Sequence, residues 1–150
     1  MEEAKAIRTL ILAQTFSSLV RSEGITRSSL TILLHDENIK VLAPSDVVAE
    51  LRKHAHEIRS KAGIARTLFE DILDRSLENI ELIPSSLYEK QLHEALRLVG
   101  DESDAPFAAL ALVRAPSTIM TYNSKHYNLR QLARRGVQVR TPVEAVRELD

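Results

Sequence analysis

The sequence has no cysteine and no tryptophan, and only three Tyr and three Phe supply aromatic surface. Without cysteine there is no disulfide framework and no thiolate to ligate a metal or act as a nucleophile, a composition that fits a cytosolic protein. With so few aromatics, the core of a chain that is 44% apolar must be aliphatic. No apolar run approaches the roughly 18 residues a membrane span needs. The start, Met1-Glu2-Glu3-Ala4-Lys5, lacks the basic-then-apolar pattern of a signal peptide. A soluble, cytoplasmic protein with no membrane contact is expected. The four glycines are isolated, so there is no Gly-rich loop to cradle phosphate, and no Gly-x-Ser-x-Gly elbow presents a hydrolase nucleophile. The histidines, His35, His54, His56, His93 and His126, show no metal spacing. His54 and His56 are two apart on an expected helix and point to different faces, and all five read as surface residues.

One further absence carries information. Residues 105–143 contain no Asp or Glu, while Arg114, Lys125, Arg130, Arg134, Arg135 and Arg140 give that stretch +6; residues 1–104 hold 13 basic and 18 acidic groups. Helices vary in charge for no functional reason. The other reading is a basic face that meets phosphate, with affinity carried by counterion release and lost in salt.

What is present is organised around residues 101–127. An acidic loop with Asp101 and Asp104 leads into a helix that is apolar all round from Phe107 to Val113 and must therefore be buried. A short β-rich run over 118–121 follows, then a polar turn, Tyr122-Asn123-Ser124-Lys125-His126. Helix, strand and polar turn in that order suggest a parallel α/β sheet, in which ligands collect at the carboxyl ends of strands.

A chain of 150 residues is one domain by size, and no repeat or linker divides it. Strands are expected over 7–13, 39–42, 80–83, 118–121 and 137–139. Helices are expected over 15–23, 26–37, from 46 to about 62, over 65–77, from Ser85 as cap to 99, over the apolar stretch, over 127–135, and from Pro142 to 149. Gly24, Gly63, Gly100 and Gly136 each fall just after an expected helix, where a left-handed residue is least costly for glycine. Five short strands separated by helices give a three-layer α/β/α sandwich with a mainly parallel five-stranded sheet.

Three acids could carry chemistry. Glu50 lies on the rim of its helix beside His54, where a carboxylate is ordinarily solvated and salt-bridged; its other reading is a metal ligand held against the sheet's end. Asp104, before Ala-Pro-Phe, suits a helix N-cap. One oxygen can cap while the other faces a cation, and Asp101 could join it. Hard ions such as Mg²⁺ need few carboxylates plus water and substrate phosphate. Asn123 and Ser124 add neutral oxygen donors after the fourth strand, or simply make a turn.

These residues resemble the PIN-domain family, small metal-dependent nucleases with a parallel five-stranded sheet that include the toxins of many prokaryotic toxin-antitoxin pairs. The resemblance is carried by Asp104-Ala105-Pro106-Phe107-Ala108-Ala109-Leu110-Ala111-Leu112 after the acidic loop. It is carried also by the Pro44 to Glu50-Leu51 segment, by Thr121-Tyr122-Asn123-Ser124-Lys125, and by Val137-Gln138-Val139-Arg140-Thr141-Pro142. It implies that Glu50 and Asp104 correspond to two of the family's metal-binding acids, with Asp101 a helper and Mg²⁺ or Mn²⁺ the cofactor. Two departures stand out. Family members place an Asp at the end of the first strand, where this chain has Ala13-Gln14-Thr15, and their fourth acid falls at one of two places held here by Asn123 and His126.

Losing carboxylates from such a cluster relieves repulsion but removes ligands for the cation, which implies weaker metal binding and slower reaction. Two classes of function therefore stay open. One is an Mg²⁺-dependent endoribonuclease, in which Glu50, Asp104 and Asn123 act at the metal site and Thr15, Lys125, Arg130, Arg134 and Arg135 contact RNA. The other is a PIN module that binds RNA or protein without cutting. A toxin role would bring an antitoxin partner, and family members often pair as homodimers.

Overall fold

A computed structural model of the chain describes residues 7–13, 25–46 and 77–149, with single positions at 49, 60, 68, 71, 74 and 75. Five strands build the sheet: β1 (Arg8–Leu12), β2 (Ile39–Pro44), β3 (Ile80–Ile83), β4 (Ser117–Met120) and β5 (Val137–Arg140). All pairings are parallel and the order is β3-β2-β1-β4-β5. Parallel neighbours require crossover connections, which is why the strands are separated by helical segments. Those described are α1 (Ile25–Leu34), α2 (Leu92–Leu96), α3 (Ala105–Val113), α4 (Leu129–Arg134) and α5 (Pro142–Arg147). None of the described helices is long and apolar enough to cross a membrane.

The period of two along a strand sorts the core into two layers. Leu10 and Leu12 of β1, with Val41, Ala43, Ile80 and Met120, pack on one face with Leu30 and Leu33 of α1 and Ala145 of α5. Ile11 and Ala13, with Leu42, Ile83, Ile119, Val137 and Val139, pack on the other with α3, Ala95 of α2 and Leu132 of α4. Helices therefore cover both faces of an all-parallel sheet, the three-layer sandwich expected from the order of elements. Among the described residues the core is aliphatic apart from Phe107, Met120, Tyr88 and Tyr127.

Helix α3 is buried as its composition demands: Ala105 and residues 107–111 have at most 5% exposure, Pro106 and Leu112 are partly buried, and the last residue, Val113, opens to solvent. At the far end of the helix, Ser117 Oγ donates to the Ala111 carbonyl at 2.8 Å, which satisfies a terminal carbonyl inside the core. Helix α5 is fixed by a capping box, with Glu144 N–H donating to Thr141 Oγ1 at 3.1 Å and Thr141 N–H donating to Glu144 Oε1 at 2.9 Å. Those bonds hold the Glu144 carboxyl below the usual range.

Several expected details differ. Residues 85–99 do not form one helix capped by Ser85. They make two 3₁₀ turns, Ser85–Leu87 and Glu89–Gln91, before the short α2. Ser85 and Ser86 compete with the backbone for hydrogen bonds, and Tyr88, inserted into the core at 2% exposure, takes φ −132° between the turns. Helix α1 stops at Leu34, and β2 runs on to Pro44, two residues beyond the expected strand, with helical backbone beginning at Ser45 as expected. Of the two described glycines, Gly136 adopts φ +80°, while Gly100 is not left-handed. The helices expected over 15–23, from 46 to about 62 and over 65–77 lie mostly or wholly outside the described residues.

Leu110, without exposed surface in the middle of α3, tests the core. Leu110→Ala should destabilise the fold by about 2–5 kcal/mol in urea unfolding. Thr141→Ala should cost about 1 kcal/mol, a fall in Tm of about 2–4 °C. Equal small losses for both variants would contradict the packing described.

Candidate functional site

From β1 the chain winds outward to β2 and β3, then returns to lay β4 on the opposite side of β1. In open α/β sheets ligands bind in the crevice outside the carboxyl ends of the strands at such a switch in winding, which here falls between β1 and β4. Ala13 follows β1 there, its N–H donating to the Met120 carbonyl at 3.1 Å. Thr121 follows β4, buried, with its N–H on the Arg140 carbonyl and its Oγ1 accepting from Asn123 N–H at 3.0 Å. Helix α3 leads into β4 and so begins at this same edge, which puts Asp104 at the crevice.

Asp104 has 0% exposure. It does not cap α3 as expected, since it lies in helical conformation (φ −86°, ψ −11°) as the last residue of a 3₁₀ turn, Glu102–Asp104, that runs straight into the helix. The cap is Asp101, whose Oδ1 accepts from Ser103 N–H at 3.0 Å and Ser103 Oγ at 2.9 Å. With the backbone role taken by Asp101, the Asp104 carboxylate is directed to its neighbours. Oδ2 lies 3.3 Å from His126 Nδ1, and the buried hydroxyl of Tyr127 is close enough to feel its charge.

The electrostatics follow from burial. Desolvation raises the Asp104 carboxyl above its ordinary value, His126 opposes that rise and Asp101 adds to it. Burial first, and Asp104 second, push the Tyr127 phenol well above its usual range. Asp101 is exposed, and its bonds to Ser103 hold its carboxyl low.

Backbone bonds bring the two halves of the site together. Gly100 N–H donates to the His126 carbonyl at 2.6 Å and Asn128 N–H to the Leu98 carbonyl at 2.8 Å, flanking an antiparallel bridge between Val99 and Tyr127. The acidic loop and the turn after β4 are thereby clamped side by side. His126, read from sequence as a surface residue, is in the site because of this clamp, with its Nδ1 buried against Asp104. No motif in the sequence marks Tyr127. The signal for His126 was its place in the polar turn after the fourth strand, where the resemblance led one to expect an acid.

Other expected site residues are placed as follows. Asn123 is half-buried in the turn, its carbonyl accepting from His126 N–H at 2.9 Å. Lys125, Arg130 and Arg134 are exposed and pair with no carboxylate among the described residues. Arg135 pairs with Glu94, and Arg140 with Glu148 at 2.7 Å, so the acid-free stretch is partly neutralised by acids from elsewhere. Glu50 and Thr15 lie outside the described residues. Among the described residues no three His, Asp or Glu side chains are grouped so as to hold a metal.

A parallel α/β sandwich with a buried carboxylate at its switch point defines a class of small ligand-binding or catalytic domains. The chain belongs to the PIN-domain family: the sequence model of the PIN domain matches residues 15–125, most of the length. This is a nuclease-like family whose members typically use divalent metals. The match spans Asp101, Asp104 and the turn to Lys125 but begins after Ala13. No curated protein and no solved structure gives a significant match.

A carboxylate whose pKa is raised in the folded state weakens the fold when it ionises. The stability it costs is absent below the unfolded value of about 3.9 and grows as pH rises through the folded value. Asp104→Asn should therefore melt higher than the parent at pH 8 without metal, and the gap should shrink towards pH 4. A parent that is the more stable at pH 8 would show that the Asp104 carboxylate is a net stabiliser.

Proposed function

We propose that this chain descends from the metal-dependent endoribonucleases of the PIN family and retains a reduced form of their site. The observation that carries the reading is Asp104, a carboxylate with no exposed surface held at the switch-point edge of the sheet. A charge placed there costs stability, and a cation or substrate that needs it is the physical reason to keep it. Asp104 and Glu50 would hold Mg²⁺ or Mn²⁺, with Asp101 joining if it releases Ser103. Such an ion supplies an activated water and offsets phosphate charge. Asn123 or Thr15 would orient the water. Lys125, Arg130 and Arg134, exposed beside the crevice or on the helix that follows, would guide RNA. Arg135, paired with Glu94, contributes little to that role. A toxin of a toxin-antitoxin pair, with an antitoxin or a second copy as partner, is the biological setting that fits such an enzyme.

A second reading has its own support. Ala13 has 0% exposure and its methyl group belongs to the same buried cluster as Ala105 and Ala108 of α3. The place expected for the first acid is thus filled by packing, and His126 stands where another acid is expected. A PIN module that binds RNA or protein without cutting fits those two features.

Restoring the acid separates the readings. Ala13→Asp should raise Mn²⁺-dependent ribonuclease activity about tenfold or more over the parent, and Asp104→Asn should abolish the gain. Without metal the variant should melt lower, because a buried charge lacks a partner, and added Mn²⁺ should restore its Tm. An intact fold with neither gain nor recovery assigns the chain to the binding class.

RNA affinity should fall steeply with salt. Neutralising Arg130 or Arg134 should reduce the slope of log K against log salt by about 1 each, while Arg135→Ala leaves it nearly unchanged. Affinity independent of salt would remove nucleic acid as the partner of this face.

A further inference from the structure

We infer that His126 is itself a metal-ligating residue, and that together with Asp104 it makes this site select ions such as Co²⁺ and Zn²⁺ over Mg²⁺. The inference rests on the reading of Asp104 as a metal-holding group and adds the ligand that sets which metal is taken.

Three observations converge. First, two donor atoms from separate segments, His126 Nδ1 and Asp104 Oδ2, stand 3.3 Å apart. Two ligands on one ion with bonds of about 2.0–2.1 Å are separated by about 2.9 Å at a right angle and about 3.4 Å at a tetrahedral one. The observed spacing is that of a ligand pair. Second, the contact is not an aligned hydrogen bond: Nδ1 of His126 is buried and makes none. Third, Tyr127, 5% exposed, has its hydroxyl buried beside the same carboxylate and feels its charge. A buried carboxylate, imidazole and phenol drawn together from separate segments form a set of polar groups that burial penalises unless it is compensated, and an ion between the imidazole and the carboxylate would compensate it.

The donor chemistry then decides which ion. Mg²⁺ takes oxygen ligands and dehydrates reluctantly, whereas imidazole nitrogen suits the later first-row metals. Alanine at 13 and histidine at 126 together lower the negative charge available to an ion. That loss weakens a hard ion held mainly by charge more than one that bonds to nitrogen. The alternative arrangement is an imidazolium that occupies the cation's place and excludes metal; it predicts no binding at all.

The test uses the metal-stripped full chain titrated with MgCl₂, CoCl₂ and ZnCl₂, read by calorimetry and, for Co²⁺, by visible absorption. Co²⁺ and Zn²⁺ should bind about tenfold or more tightly than Mg²⁺, with ligand-field bands from a site containing nitrogen. His126→Ala should lose the tight event, and His126→Gln should lose it likewise, which keeps the test decisive if the alanine variant fails to fold. His126→Asp should shift preference back towards Mg²⁺. Equal affinities for Co²⁺ and Mg²⁺ in the parent, or tight Zn²⁺ binding that survives both substitutions, overturn the inference. If the parent binds no ion but His126→Asp binds Mg²⁺, only this inference falls. If neither binds any ion, the metal-dependent nuclease reading falls with it.

Discussion

An ionisable carboxylate with no exposed surface is the constraint on which the rest of this architecture turns. Burying Asp104 is unfavourable, and the elements around it offset part of that cost. The apolar helix α3 can enter the core directly from a 3₁₀ turn because Asp101, one turn earlier, satisfies the backbone at that turn. His126 approaches from the opposite segment. The parallel sheet supplies the crevice, since only a reversal in strand order brings the ends of β1 and β4 together with the start of α3.

The fold was largely legible in the sequence. Each expected strand is present within a few residues, because short β-branched and aliphatic runs bounded by turn residues leave little ambiguity in a doubly covered sheet. Helix α3 announced itself through an apolar stretch that no surface helix tolerates. The break at Tyr88 was hidden, since the pull of one aromatic side chain into the core is a tertiary effect that local propensity does not register. The same holds for Asp104 and Asp101: both stand at plausible capping positions, and which one caps depends on where the 3₁₀ turn begins.

The site was legible only in part, for a related reason. Spacing along the chain shows histidines as unrelated, whereas the bridge between Val99 and Tyr127 joins segments more than twenty residues apart and carries His126 to Asp104. Charge behaved in the opposite way. A run of cations with no acid among them looks like one basic surface, yet Arg135 and Arg140 find Glu94 and Glu148 from outside the run. The exposed, unpaired positive charge of the acid-free stretch is therefore narrower than the sequence implies, centred on Lys125, Arg130 and Arg134.

The clamp between the acidic loop and the turn after β4 is made by main-chain groups: the Gly100 and Asn128 amides and the carbonyls of His126 and Leu98. Alignment of the two segments is thus independent of what the turn's side chains are. A residue at 126 can be exchanged, acid for imidazole or the reverse, while its Cα stays opposite Asp104. Geometry and chemistry are separable in this pocket, which makes it a site whose reagent can be altered by single substitutions on an unchanged frame.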